Sequence, residues 1–224
     1  MCDNDCMVAT LKQAEEFRGL FLRRGTQLKY KKGEFIIRPG EKPSGVFYIE
    51  SGLVKAYDIT KYGEENTLII RREEEVFPLI WAITGQERHV MYEALVPTVV
   101  RHLTRDVFLK FLQEHPETMR PLLDMVVEMY RVHSERILGL SYRNVRERLV
   151  AFLLATAQRF GTKTEDGNIL LDVPLRQQDI ASCITTTRET AGREIALLEQ
   201  KGWLTSRNFY ITLTDVKALR HYLE

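Results

Sequence analysis

Arg188, Glu189 and Arg193 stand in the stretch ITTTRETAGRE, Ile184 to Glu194. Their chemistry is recognition by hydrogen bonding. An arginine presents a planar fork that matches guanine O6 and N7, and a glutamate accepts from the cytosine amino group. Spacing decides whether the three can act together. On a helix starting near Thr187, Ala191, Ile195 and Leu198 form one inward face, because positions three and four apart lie on the same side. Glu189, Gly192 and Arg193 then face outward, with Arg188 at the leading end. A small residue at 192 is expected to let that face approach another surface closely. Threonine hydroxyls cap helix N-termini, and Thr186 with Glu189 has capping-box spacing. Thr187 and Thr190 are placed to hold phosphates at the helix N-terminus.

The element that must position this helix lies just before it. Ile180 and Ile184 sit four apart and define a first short helix. Two short helices joined by a tight turn, followed by strands around Arg207-Asn208, form a helix-turn-helix with a wing. The alternative at this spacing is an exposed helix with a salt-bridged charged face.

Upstream, Pro121 to Leu140 has helical periodicity through Leu122, Met125, Met129, Val132 and Leu140. This helix either lies on a neighbouring domain or forms a two-helix dimer seam, and its length favours the seam. Ser141-Tyr142-Arg143 reads as a break, with Asn144 capping a further helix that ends near Gly161. Residues 28–57 are different. Short apolar runs such as Phe35-Ile36-Ile37, Val46-Phe47-Tyr48-Ile49 and Leu53 to Tyr57 alternate with Lys32-Gly33, Pro39-Gly40 and Ser51-Gly52. That texture predicts a small antiparallel barrel or sandwich, with Tyr62-Gly63 at a hairpin tip before Leu68-Ile69-Ile70.

Composition narrows the function classes. A net charge of +1 provides no global field to attract nucleic acid, so any such contact must rest on a local patch. No apolar run approaches membrane-span length, which leaves no membrane partner to expect. The start, MCDNDCMVAT, lacks the basic and apolar regions of a signal peptide, so a cytoplasmic location with reduced thiols is expected. The five histidines include no His-x-His pair, so no metalloenzyme site of the barrel type is visible and no enzyme activity is expected.

Leu175 to Leu204, LRQQDIASCITTTRETAGREIALLEQKGWL, resembles the helix-turn-helix of the Crp/Fnr family of bacterial transcription regulators. Asp179-Ile180-Ala181 and Arg188-Glu189-Thr190 carry the likeness. Lys32-Gly33, Pro39-Gly40-Glu41, Phe47-Tyr48-Ile49, Gly52-Leu53-Val54 and Gly63 match the turns and strands of its β-roll. The resemblance implies an α+β chain. An N-terminal helical segment with a double-stranded β-helix of the jelly-roll, cyclic-nucleotide-binding type spans residues 1–117, a dimerisation helix 118–142, and a winged helix-turn-helix 143–224. It further implies a homodimer on palindromic double-stranded DNA, read by Arg188, Glu189 and Arg193. Gln177, Gln178, Thr187 and Thr190 would touch phosphates, and RNA polymerase would be a partner if the protein activates. Two departures stand out. Thr185 occupies the turn position that is usually glycine, and Arg176 replaces the usual Thr or Ser cap of the first helix.

In the family's nucleotide pocket a Gly-Glu pair holds the ribose and an Arg-Ser pair the cyclic phosphate. Here Phe77-Pro78 replaces the first pair, and Arg88-His89 stands for the second. Losing the acceptor for a ligand hydroxyl argues against cyclic AMP bound in the usual way. The pocket candidates are Arg88, His89, Trp81, and His133 with Ser134 on the long helix. Trp81 fits a core position better than a ligand platform, and Phe77, Leu79, Ile80 and Trp81 make a hydrophobic effector or a self-filled pocket equally plausible. The effector and any cofactor are left unassigned. His89 with His133 offers a haem or metal alternative, and Cys2 with Cys6 a thiol or intersubunit metal alternative. Three cysteines cannot make an all-cysteine four-ligand cluster in one subunit. A protein-binding adaptor that kept the fold without reading DNA is the rival from another class.

Overall fold

A computed structural model describes residues 15–224. Cys2 and Cys6 lie outside that range. The chain divides into two compact units. One holds residues up to Asp58 together with Ile69–Met129; the other holds Ile59–Leu68 and Tyr130–Glu224.

The first unit is built on two four-stranded antiparallel sheets. One has the order β1 (Thr26–Tyr30), β8 (Thr98–Leu103), β3 (Val46–Ser51), β6 (Val76–Phe77). The other runs β2 (Phe35–Ile37), β7 (Met91–Ala94), β4 (Val54–Ile59), β5 (Glu65–Arg71). Residues on a strand alternate between faces, and β3 shows the consequence. Phe47 and Ile49 enter an interior cluster with Ile37, Val54, Ala56, Ile69, Phe77, Tyr92 and Val100. Val46 and Tyr48 instead join a second cluster, formed with helices. These are α1 (residues 15–24), α2 (Leu79–Thr84), α3 (Arg105–Glu114) and the start of α4 (Met119–Tyr142). α2 and α3 leave weak sequence signals, since α2 is short and apolar and α3 is capped only by the Thr104 hydroxyl, which accepts from the Val107 N–H.

The periodicity of α4 has two outcomes. Leu122, Met125 and Met129 pack against the second cluster, so this part of the stripe lies on the β-roll, while Leu140 at its far end is exposed. The first unit takes α4 as far as Met129, and the second takes it from Tyr130. A different row stays exposed: Leu123, Val127, Tyr130 and Ile137, with Val126 and Leu138 beside it.

The second unit starts from the α4–α5 break. Asn144 caps α5 (Val145–Phe160) by accepting from the Glu147 N–H at 3.1 Å, while the Glu147 carboxylate accepts from the Asn144 N–H at 2.8 Å. α6 (Gln177–Ile184) and α7 (Arg188–Gln200) follow, then α8 (Val216–His221). A four-stranded antiparallel sheet completes the unit in the order β11 (Leu204–Arg207), β12 (Tyr210–Leu213), β10 (Ile169–Leu171), β9 (Gly161–Lys163). β9 and β10 flank a turn at Asp166-Gly167.

Candidate nucleic-acid interface

α6 begins without a hydroxyl cap. The Asp179 carboxylate accepts from the Arg176 N–H at 3.0 Å, so half of a capping box replaces the missing Ser or Thr. Ile180, Ala181 and Ile184 are buried, and Gln177 and Gln178 are exposed at its N-terminal end.

Thr185 then takes a left-handed backbone, φ 55° and ψ 65°. A β-branched residue pays about 1–2 kcal/mol for that geometry. Several hydrogen bonds oppose the cost. The Thr186 N–H donates to the Ala181 carbonyl at 3.0 Å. From α5, Arg148 donates through Nε to the Ile184 carbonyl at 2.9 Å and through Nη2 to the Thr185 carbonyl at 3.3 Å. Its Nη1 reaches the Arg143 carbonyl at 2.9 Å. One guanidinium thus ties the turn between the two helices to the α4–α5 break.

The cap of α7 is Thr187, one residue later than the spacing with Glu189 had indicated. Its hydroxyl oxygen accepts from the Thr190 N–H at 3.2 Å, and the hydroxyl donates to Thr190 Oγ1 at 3.0 Å. Arg193 Nη2 donates to the same Thr190 oxygen at 3.2 Å. Ala191, Ile195 and Leu198 are buried as expected, and Arg188, Glu189 and Arg193 are exposed. Gly192 is corrected. It is half-buried, and a Cβ built there would stand 3.1 Å from the Gln177 side-chain oxygen. A side chain at 192 would meet Gln177 of α6 first.

Two further ties hold α7. Arg146 of α5 donates to the Glu194 carboxylate at 2.6 Å, which raises the pKa of that guanidinium. The Glu199 carboxylate accepts from the Ser206 N–H in the wing at 2.7 Å, and the wing tip accepts through the Phe209 carbonyl from the Leu175 N–H at 2.7 Å. Arg146 and Arg148 were not singled out from sequence. Their signal was two cations in the first turn of a helix, where the dipole disfavours them.

The effector candidates separate. Trp81 is 7% exposed in the helix-facing cluster, with the Arg105 guanidinium 5.9 Å from its ring centroid. Arg88 and His89 are exposed between α2 and β7, while His133 and Ser134 are half-buried on α4. Inside the roll, Phe77 stacks on Phe47 at 5.3 Å and on Tyr92 at 4.7 Å. Burial raises the Tyr92 pKa. Among the described residues no group of three or more His, Cys, Asp or Glu is placed to hold a metal ion, and no helix is long and apolar enough to cross a membrane.

Comparison with known proteins agrees with this layout. Residues 147–222 match the model of the Crp-like helix-turn-helix domain, and residues 27–115 match that of the cyclic nucleotide-binding domain. The global nitrogen regulator of Synechococcus elongatus is 30% identical over 85% of this chain and 86% of its own length. The CRP-like cAMP-activated global transcriptional regulator of Mycobacterium tuberculosis is 25% identical, with 85% and 84% covered. Among solved structures, a CooA variant from Carboxydothermus hydrogenoformans aligns with TM-score 0.77 at 22% identity over 92% of this chain and 90% of that one. FixK2 from Bradyrhizobium japonicum aligns with TM-score 0.76 at 25% identity, over 89% and 97%. With its two-sheet roll, its long helix and its capped helix-turn-helix, the chain belongs to the Crp/Fnr family of DNA-binding transcription regulators.

Proposed function

We propose that the protein acts as a homodimer that reads a palindromic duplex with α7. Arg188, Glu189 and Arg193 contact base edges in this reading. Gln177, Gln178, Thr187 and Thr190 face the phosphates. The observation that carries it is the exposed Arg188-Glu189-Arg193 face on a helix whose opposite side, Ala191, Ile195 and Leu198, is buried. The dimer is supported by the exposed row on α4. Leu123, Val127, Tyr130, Ile137 and Ser141 are exposed, and with half-buried Ser134 they follow steps of four and three, the period of a two-helix seam. Tyr130, in mid-row, is 74% exposed. Two reading helices on one face of DNA must lie about one helical turn apart, ~34 Å, and α4 is the element that sets that separation.

Cyclic AMP held in the usual way is disfavoured. Phe77, standing where the ribose-holding pair is expected, is fully buried in an aromatic stack. An effector acts only if it binds two arrangements of the dimer with different affinity. Arg88 and His89, exposed beside β7, remain the candidates to meet one.

Selection from random duplexes tests the DNA reading. A palindromic consensus with G·C pairs in each half-site is the expected product. Recovery of no preferred sequence, with or without cell extract, overturns it. Mass and absorbance spectra of the purified protein then separate bound nucleotide, haem, metal and nothing.

A further inference from the structure

The tip of the β4–β5 hairpin belongs to the second unit, where a buried hydroxyl pair and a part-buried arginine meet it. Thr67 on β5 is 1% exposed and Ser182 on α6 is 6% exposed, and their hydroxyl oxygens lie 2.6 Å apart. The Ser182 hydroxyl has one proton, which goes to the Asp179 carbonyl at 2.9 Å. Thr67 is therefore the donor and Ser182 the acceptor. Arg136 of α4 closes the same contact. Its Nη1 donates to the Thr67 carbonyl at 2.5 Å, and its Nη2 donates to the Asn66 side-chain oxygen at 2.8 Å and to the Ser182 carbonyl at 3.4 Å. One cation thus gathers acceptors from two elements 115 residues apart in sequence.

Buried polar contacts are costly when half made, so this arrangement is specific about pose. A hydrophobic patch tolerates sliding, whereas three charge-assisted hydrogen bonds and a hydroxyl pair do not. The residues are also placed to transmit. β5 runs from Thr67 into Ile69, a residue of the roll interior. Ser182 lies in the helix that packs on Gly192 of α7 through Gln177. His133 and Ser134 stand within one helical turn of Arg136 on α4.

We propose that Arg136, with the Thr67–Ser182 pair, is a positioning element for DNA reading. It fixes α6, and through α6 the reading helix α7, against the hairpin that continues into the sensor strand β5. The proposal rests on α7 being the DNA-contacting helix. Its consequence is that operator affinity depends on a side chain that touches no DNA. A head held in one pose loses less freedom on binding than a loose one.

The test uses the full-length chain and a duplex from the random selection, with affinity read by fluorescence anisotropy and folding by urea unfolding. Arg136→Ala is expected to weaken binding about tenfold, within the usual range of coupling between sites, and Arg136→Lys to restore part of it. Faster amide exchange over Thr60–Thr67 accompanies the loss. Ser182→Ala strands a buried donor, whereas Thr67→Val removes that donor. The Thr67→Val, Ser182→Ala double variant therefore binds no worse than Ser182→Ala alone. Arg193→Ala is the control. If Arg193→Ala weakens binding while Arg136→Ala and Ser182→Ala leave it within about twofold of the parent, below the range of a coupling between sites, the clasp is wrong and the DNA reading stands. Tighter binding by Arg136→Ala overturns it as well, since the clasp would then be a restraint. If Arg193→Ala changes nothing, the DNA-reading assignment falls and the clasp falls with it.

Discussion

Arg148 donates to the carbonyl of Thr185, the residue that turns the chain between α6 and α7 in a left-handed backbone. The same guanidinium holds the Ile184 and Arg143 carbonyls. A helix C-terminus leaves its last carbonyls without intrahelical partners, and here a single side chain serves two such ends. Arg148→Ala is expected to lower stability by about 2 kcal/mol, the scale of a charged hydrogen bond lost from a part-buried site. Arg148→Lys should recover less than half, because an ammonium lacks the planar fork. Urea unfolding of both variants checks this.

Thr185→Gly goes the other way. Glycine removes the left-handed penalty but gives back chain entropy in the unfolded state, so a net gain of at most about 1 kcal/mol is expected. A loss of stability would show that the threonine side chain itself supports the turn.

Arg193→Ala should weaken operator binding by about 1–3 kcal/mol and relax preference at one base pair of each half-site. Repeating the selection with the variant reads both effects. Equal loss at every position would reassign Arg193 to a phosphate.

Gly192→Ala separates packing from surface approach. The Gln177 side chain must move by a few tenths of an ångström to admit the Cβ. Gln177 is exposed and flexible, so the helix gains alanine's propensity and stability changes by less than about 1 kcal/mol. DNA affinity falls modestly through the displaced Gln177, not through a clash with the duplex. Combining Gly192→Ala with Gln177→Ala should then add no further loss of affinity.

Val127→Glu places a charge in the middle of the exposed α4 row. Sedimentation is expected to show dimers of the parent protein and monomers of the variant, since like charges would meet across a two-fold axis. Affinity for the palindrome should fall, while binding to a single half-site is retained.

Acid should loosen the first unit through Glu50. Arg101 donates to its carboxylate at 2.6 Å and 3.3 Å, and Gln27 adds a bond at 3.1 Å. The Arg101 hydrogen bond is the main cause that holds its pKa below the ordinary glutamate value. A carboxylate with a depressed folded pKa contributes stability above its unfolded pKa, about 4.3, and that contribution is lost as pH falls through the folded value. The pair is only partly buried, so the term is at most about 1 kcal/mol. Glu50→Gln should flatten the acid limb of the stability profile below about pH 5, leaving neutral-pH stability slightly reduced.

Local patterns in the sequence determined α7, its inward face at Ala191, Ile195 and Leu198, the Asn144 cap, the wing around Arg207-Asn208 and the strands β2 to β5 of the roll. Each of these writes a periodic or punctuating signal over a few residues, because it depends on neighbours in the chain. The tertiary structure decided the rest. It moved the α7 cap to Thr187, set Gly192 against Gln177, and gave Leu122, Met125 and Met129 to the roll while leaving Leu123, Val127 and Tyr130 exposed. A helix with two apolar rows does not announce which one meets its own domain. Arg136 on the hairpin and Thr67 on Ser182 had no sequence signature, and the place of Arg148 in the first turn of a helix did not say which carbonyls it would meet. Such polar contacts join residues far apart in the chain, and a single arginine or threonine looks the same whether it points to water or to a buried carbonyl. Only folding supplies the acceptor.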